Sequence, residues 1–159
     1  MSNSIALLNR SVADELHAVH QYMYFHFHLA DQGYAPLAQL FKKTAIVEMG
    51  HTEALAERIL FLKGDVEMHA SSAVEKISDP AAMLAKAIEM EQASARDYNL
   101  AAQECGAQAD ATSKLLFENL VHDEEGHQDQ FEKQLDNIKR FGPAYLALQS
   151  FGVAASTTE

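Results

Sequence analysis

VHDEEGHQDQF, residues Val121 to Phe131, lies where a helix should be continuous and carries chemistry that a helix does not need. The flanks, KLLFENL before it and FEKQLDNI after it, place apolar residues at helical spacing, so the stretch is the middle of one long helix. Its inner stripe runs Phe117, Leu120, Glu124, His127, Phe131, Leu135 and Ile138, with an acid and an imidazole where aliphatic side chains would be usual. Gly126 adds a cost of about 1 kcal/mol against Ala in a helix interior. Something other than helix stability selected this segment.

Outward from that stretch the helical pattern fills the chain. The spacing predicts helices over about 4–32, 36–63, 80–105, 110–140 and 143–150. The first carries Leu8, Val12, Glu15, Val19, Tyr22, His26 and Leu29 on one stripe and should stop at Gly33. The second opens at Pro36 and carries Leu37, Leu40, Thr44, Glu48, His51, Leu55, Ile59 and Leu62, with Gly64 at its end. The third is capped by Asp79 ahead of Pro80 and turns Leu84, Ala87, Glu91, Tyr98 and Ala102 inward as far as Gly106. Phe141-Gly142-Pro143 closes the fourth, leaving room for a short fifth helix before a polar STTE tail. No strand alternation or linker interrupts this series, so residues 1–159 are expected to form one all-α domain.

Connection lengths set the topology. The turns at 33–35 and 106–109 are short and make antiparallel pairs of helices one and two and of helices three and four. The link over 65–78 is long, and a helix of roughly 27 residues measures about 40 Å. At about 3.3 Å per extended residue that link just spans such a helix. A four-helix bundle with one long crossover between helices two and three, plus a short C-terminal fifth helix, accounts for every segment.

Composition narrows the partners. Twelve basic residues against 23 acidic ones give a formal charge of -11 over 159 residues. That sign opposes nucleic acid and anionic membranes and attracts cations. A DNA-protecting shell protein would need a basic arm, and MSNSIALLNR offers one Arg. The single Cys105 forms no internal disulfide, and the polar residues of MSNSIALLNRSVADEL break any export-like apolar run. No stretch of roughly 18 apolar residues crosses a membrane. A cytoplasmic protein without export is expected.

Each long helix thus has a carboxylate on its inner stripe: Glu15, Glu48, Glu91 and Glu124. Two are followed by His at i+3, in Glu48-Met49-Gly50-His51 and Glu124-Glu125-Gly126-His127, which sets acid and imidazole one turn apart on one face. A lone Glu-x-x-His is usually a solvated face or a local ion pair. Two of them, with a lone core Glu on both remaining helices, make the established ligand set of carboxylate-bridged di-iron and di-manganese bundles, from which the assignment is taken over. Four buried acids otherwise exceed what a domain's stability tolerates. Carboxylate and imidazole without thiolate leave iron, manganese or zinc. With Glu48 and Glu124 bridging, two ions would lie roughly 3.5–4 Å apart.

Neighbouring residues suggest further roles. Tyr22, two turns past Glu15, is placed to donate a hydrogen bond or an electron to the centre, or is a core tyrosine with a satisfied hydroxyl. Asp123, four residues before His127, is placed to accept its second ring N–H. Val47 stands at the matching place before His51, so the His51 side is expected to hold metal more weakly. Gly50 and Gly126 either give room beside the site or are incidental. The Glu/His pair on two helices hints at an internal duplication.

ELHAVHQY (15–22), VEMGHTEALAERILFLKG (47–64) and HDEEGH (122–127) with QFEKQLDNIKRFG (130–142) resemble the bacterioferritins in ligand type, order and spacing over nearly the whole chain. The resemblance implies a ferritin-like bundle assembled as a 24-subunit homo-oligomeric shell. Such a shell oxidises Fe(II) with oxygen or peroxide at a centre of two iron ions per subunit and stores Fe(III) mineral. It gives Glu15, Glu48, His51, Glu91, Glu124 and His127 as iron ligands, with Tyr22 beside them. It also makes Met49, on the outer face with Leu16, Met23 and Ile46, an axial ligand of haem b at a two-fold interface; the other reading is a Met packed in a dimer contact. The chain departs from the family's pattern at Lys43 and Val47, where some members have the His and Asp of an inner-cavity iron position. Gly50 stands for a frequent Lys and Gln32 for a frequent Trp. His17, His20, His26, His28, His69 and His122 receive no ligand role. The rival reading is a di-iron peroxidase or oxygenase of the same bundle in which iron is fixed and not stored.

Overall fold

A computed structural model describes residues 2–151, and the STTE end falls outside them. Its elements are α1 (Ser2–Asp31), α2 (Ala35–Phe61), α3 (Pro80–Ala107), α4 (Ala111–Phe141) and the short α5 (Pro143–Phe151). α1 packs along α2, and α3 along α4, as two antiparallel hairpins joined by a long crossover. This is the four-helix bundle with one long crossover that the connection lengths predict, and α5 rests against it through Leu146.

The helix ends follow from local chemistry. Asp79 accepts from the Ala82 N–H at 2.9 Å ahead of Pro80, and Asp110 accepts from the Ser113 N–H at 3.1 Å. Arg58 of α2 reaches over to the second of these caps, 2.7 Å from Asp110, which ties the hairpins together. Gly33, at φ 88°, makes the α1–α2 turn as expected. Gly64 has a different part from the one expected. The left-handed residue after α2 is Lys63, and Gly64 is needed for close approach, since a Cβ there would stand 2.8 Å from Ile5 Cγ2.

The crossover is held by one polar row on α1. Asn9 donates to the Asp65 carbonyl and accepts from the Glu67 N–H, both at 2.9 Å. Ser71 N–H donates to the Ala13 carbonyl at 3.0 Å, and His17 Nδ1 donates to the Ser72 carbonyl at 3.1 Å. Gln21 grips both the N–H and the carbonyl of Glu75, at 2.8 and 3.0 Å. Residues 9, 13, 17 and 21 repeat at i+4 and so share a face, which lets an irregular chain find partners that a sheet would otherwise supply.

Burial corrects the α1 stripe at two places. Ala18 and Phe25 are buried where Val19 and His26 were expected, because steps of three and four residues alternate along a 3.6-residue period. His26 instead donates from Nδ1 to the Ala38 carbonyl at 2.7 Å. The core comes in two apolar clusters, one around Tyr22, Phe25, Phe41 and Phe131, the other around Leu8, Leu55, Tyr98 and Phe117.

Candidate metal centre

Between those two apolar clusters the four helices bring together all six side chains read from the sequence. Glu15, Glu48, Glu91 and Glu124 are at most 1% exposed, and His51 and His127 at most 8%. Their donor atoms form two quartets, Glu15, Glu48, His51, Glu124 and Glu48, Glu91, Glu124, His127, within each of which the atoms lie no more than 4.8 Å apart. Glu48 and Glu124 belong to both. Both histidines turn Nδ1 inward: His51 Nδ1 stands 3.1 Å from Glu124 and 3.3 Å from Glu15, His127 Nδ1 3.1 Å from Glu48 and 3.6 Å from Glu91. The rings lie 6.1 Å apart and nearly parallel, at 23°.

His51 Nδ1 and Glu15 Oε1 share a hydrogen bond at 3.3 Å, but most of the oxygens here have none. Glu15 Oε2, Glu48 Oε1, Glu91 Oε2, both oxygens of Glu124 and Nδ1 of His127 are buried without a hydrogen-bond partner, although several approach one another. Lone pairs converging on common points in a water-poor core fit the two divalent cations that this donor set selects. In the metal-free protein, protons take over part of that role. Burial, then Glu15 and Glu91, pushes the Glu48 carboxyl well above the usual carboxylate range, and burial with Glu15 does the same to Glu124. Burial alone would pull His51 down, but Glu124 and Glu15 beside Nδ1 raise it to about 10.

Two tyrosines close the centre from opposite ends. Tyr22 donates its hydroxyl to Glu91 Oε1 at 2.7 Å, and Tyr98 donates to Glu15 Oε1. Burial and these acids push both phenols well above their ordinary range, which keeps them donors. Tyr98 was read from the sequence as a core residue only, since spacing along one helix does not show a partner on another.

Asp123 braces the opposite histidine from the one expected. Its Oδ2 lies 2.9 Å from Nε2 of His51, on α2, and not against His127 on its own helix. The ring of His51 reaches across the bundle, whereas His127 stands a full turn along α4. Val47, one residue before Glu48 as Asp123 is before Glu124, is half exposed and apolar, so the half left without this brace is the His127 one and not the His51 one. Asp123→Ala should weaken Co(II) binding in the Glu15–His51 quartet by about 10–100-fold and spare the other, as seen in a two-step absorbance titration. Gly50 and Gly126 are exposed, with nothing within 4 Å of an added Cβ, so neither makes room for a neighbour within the chain.

A cleft of about 140 Å³ between α1 and α3 opens towards Glu48, lined by Asp14, His17, Tyr22, Ser94 and Asp97 among others. It has room for a few waters at about 30 Å³ each. Its acids face the only sign of ion that the buried donors can accept.

Comparison with known proteins agrees with this geometry. The ferritin-like domain family matches residues 5–141. The bacterioferritin of Desulfovibrio desulfuricans is 35% identical over 143 residues, 90% of this chain and 80% of that protein. The bacterioferritin of Rhodobacter capsulatus is 35% identical over 145 residues, 91% of this chain and 89% of that protein. An X-ray structure of the Desulfovibrio desulfuricans bacterioferritin, described as capturing its diiron site in different catalytic states, superposes with a TM-score of 0.96 at 32% identity, over 99% of this chain and 92% of that one.

Proposed function

We infer that this chain, which belongs to the ferritin-like family and within it to the bacterioferritins, is an iron-storage ferroxidase that oxidises Fe(II) and keeps Fe(III) inside a homo-oligomeric shell. The observation that carries the reading is the pair of buried quartets sharing Glu48 and Glu124. Each quartet takes one Fe(II) as substrate. Glu15 and His51 complete one position, Glu91 and His127 the other, and the two shared acids span both. Two Fe(II) give up one electron each, which matches the two-electron reduction of oxygen to hydrogen peroxide, or of peroxide to water. Glu48, Glu124 and His51 release protons as Fe(II) enters. The acid-lined cleft offers the ion a direct way in, and the charge of -11 per chain, summed over a shell of 24 subunits, raises the local cation concentration.

No helix among the described residues is long and apolar enough to cross a membrane, which is consistent with a cytoplasmic store. Storage is tested by adding Fe(II) aerobically and analysing iron in the size-exclusion peak of the assembled shell. Hundreds of ions per shell are expected; about two per subunit would favour a fixed-iron peroxidase or oxygenase.

Met49 supports haem b as a second cofactor. Its side chain is 49% exposed on α2, near the equally exposed Ile46, with Leu16 and Met23 half buried on α1. A soft thioether on an apolar outer face suits axial ligation from each side of a two-fold interface, where the group would supply one-electron transfer. Protein produced with ample haem should show a Soret band that Met49→Leu loses while still oxidising Fe(II). An unchanged band in the variant would leave Met49 as a packing residue.

A further inference from the structure

The chain builds its centre twice. Glu91, Tyr98, Phe117, Glu124 and His127 each stand 76 positions after Glu15, Tyr22, Phe41, Glu48 and His51. Contacts repeat with the residues. Tyr22 packs on Phe41 of its own hairpin with ring centroids 5.7 Å apart, and Tyr98 packs on Phe117 of its own hairpin at 5.8 Å. Each tyrosine then sends its hydroxyl across to the unshared glutamate of the other hairpin. In both glutamates Oε1 takes that hydroxyl, and Oε2 stays buried without a partner.

We infer that Tyr98 is a positioning residue for the Glu15–His51 half of the metal centre, holding Glu15 through its hydroxyl as Tyr22 holds Glu91; the inference rests on the two-metal reading above. A carboxylate pinned at one oxygen has its plane fixed, so the other oxygen is presented to an ion without further ordering. Glu15 needs this more than an isolated acid would. Its Oε1 is also hydrogen-bonded to His51 Nδ1 at 3.3 Å, and without the competing tyrosine hydroxyl that imidazole is left as the oxygen's partner, on the atom the ion requires. The tilted contact with the Phe117 ring keeps the tyrosine ring, and hence the hydroxyl, where Glu15 needs it.

The test titrates the assembled protein with Co(II), followed by visible absorbance, with melting curves on the same samples. The parent should take two ions per subunit. Tyr98→Phe, which keeps the ring and its packing, should weaken one of the two by about 10-fold or more and leave the other unchanged. Added to Glu15→Ala it should cost nothing further, and added to Glu91→Ala it should leave no tight position. Tyr22→Phe should show the converse pattern. Parent-like titration of Tyr98→Phe, or equal weakening of both positions alongside a lowered melting temperature, would overturn the inference and leave the proposed function standing. A parent that binds no Co(II) in this centre would remove the two-metal reading itself, and the role of Tyr98 with it.

Discussion

Glu48→Gln should slow Fe(II) oxidation by at least about 100-fold and raise the melting temperature of the metal-free protein. Glu48 serves both quartets, so its loss strips a ligand from two ions together, whereas losing a group that merely orients a ligand costs about 10–100-fold. Glutamine keeps the shape but offers one neutral oxygen, which cannot bridge two cations as a carboxylate does. Stability should move the other way. In the metal-free core Glu48 is 1% exposed, with Oε1 unpartnered and Glu15 and Glu91 near enough to push its carboxyl up. At neutral pH the folded core must keep a proton on Glu48 that the unfolded chain releases, and glutamine removes that cost, which should relieve on the order of 1–3 kcal/mol, or several degrees for a chain of this size. Glu53→Gln, on the exposed side of α2, should change neither quantity. Stopped-flow absorbance and a melting curve decide the matter, and a variant that oxidises Fe(II) at the parent rate would remove Glu48 from the centre.

The opposed signs explain which parts of this molecule could be read from its sequence. Helix stripes, short turns and the long link are local quantities, and they were enough for a bundle with one crossover. Glu15, Glu48, Glu91 and Glu124 stood out because each breaks an apolar stripe, a breach visible on one helix at a time. What escaped was relational. Tyr98 looks like any buried aromatic until Glu15, 83 residues away, is seen to accept its hydroxyl. Asp123 was paired with the histidine nearest along α4, when the bundle sets it against His51, 72 residues away. One signal in the sequence was available for the first of these. The repeat of Glu-x6-Tyr and Glu-x2-His at a constant offset makes Tyr98 the counterpart of Tyr22, so a role granted to one should have been granted to the other. No such symmetry could have found Asp123, because its counterpart is Val47.

Loading the centre with a redox-inert cation should raise the melting temperature by on the order of 10–20 °C and cancel its fall with rising pH. At 100 times the dissociation constant, one bound ligand stabilises by about 2.7 kcal/mol, and two by about 5. At about 2–4 °C per kcal/mol for a chain of this length, that gives the stated range. The pH dependence follows from the groups that hold protons in the metal-free core. His51, raised from 6.5 to about 10, contributes stability that is complete below its unfolded value and is lost as pH rises towards 10. Glu48 and Glu124, pushed up from 4.5, act in the same direction: the folded state binds their protons more tightly, so stability falls as pH rises past the unfolded value. Metal-free protein should therefore melt lower at pH 8.5 than at about pH 6. A cation must displace those protons before it binds, so its stabilisation should grow over the same interval. Melting curves with and without saturating Zn(II), at fixed protein concentration, test both the fall and the growing shift. If Zn(II) leaves the melting temperature where it was, the four buried carboxylates are balanced by something other than metal, and the proposed ferroxidase centre fails with them.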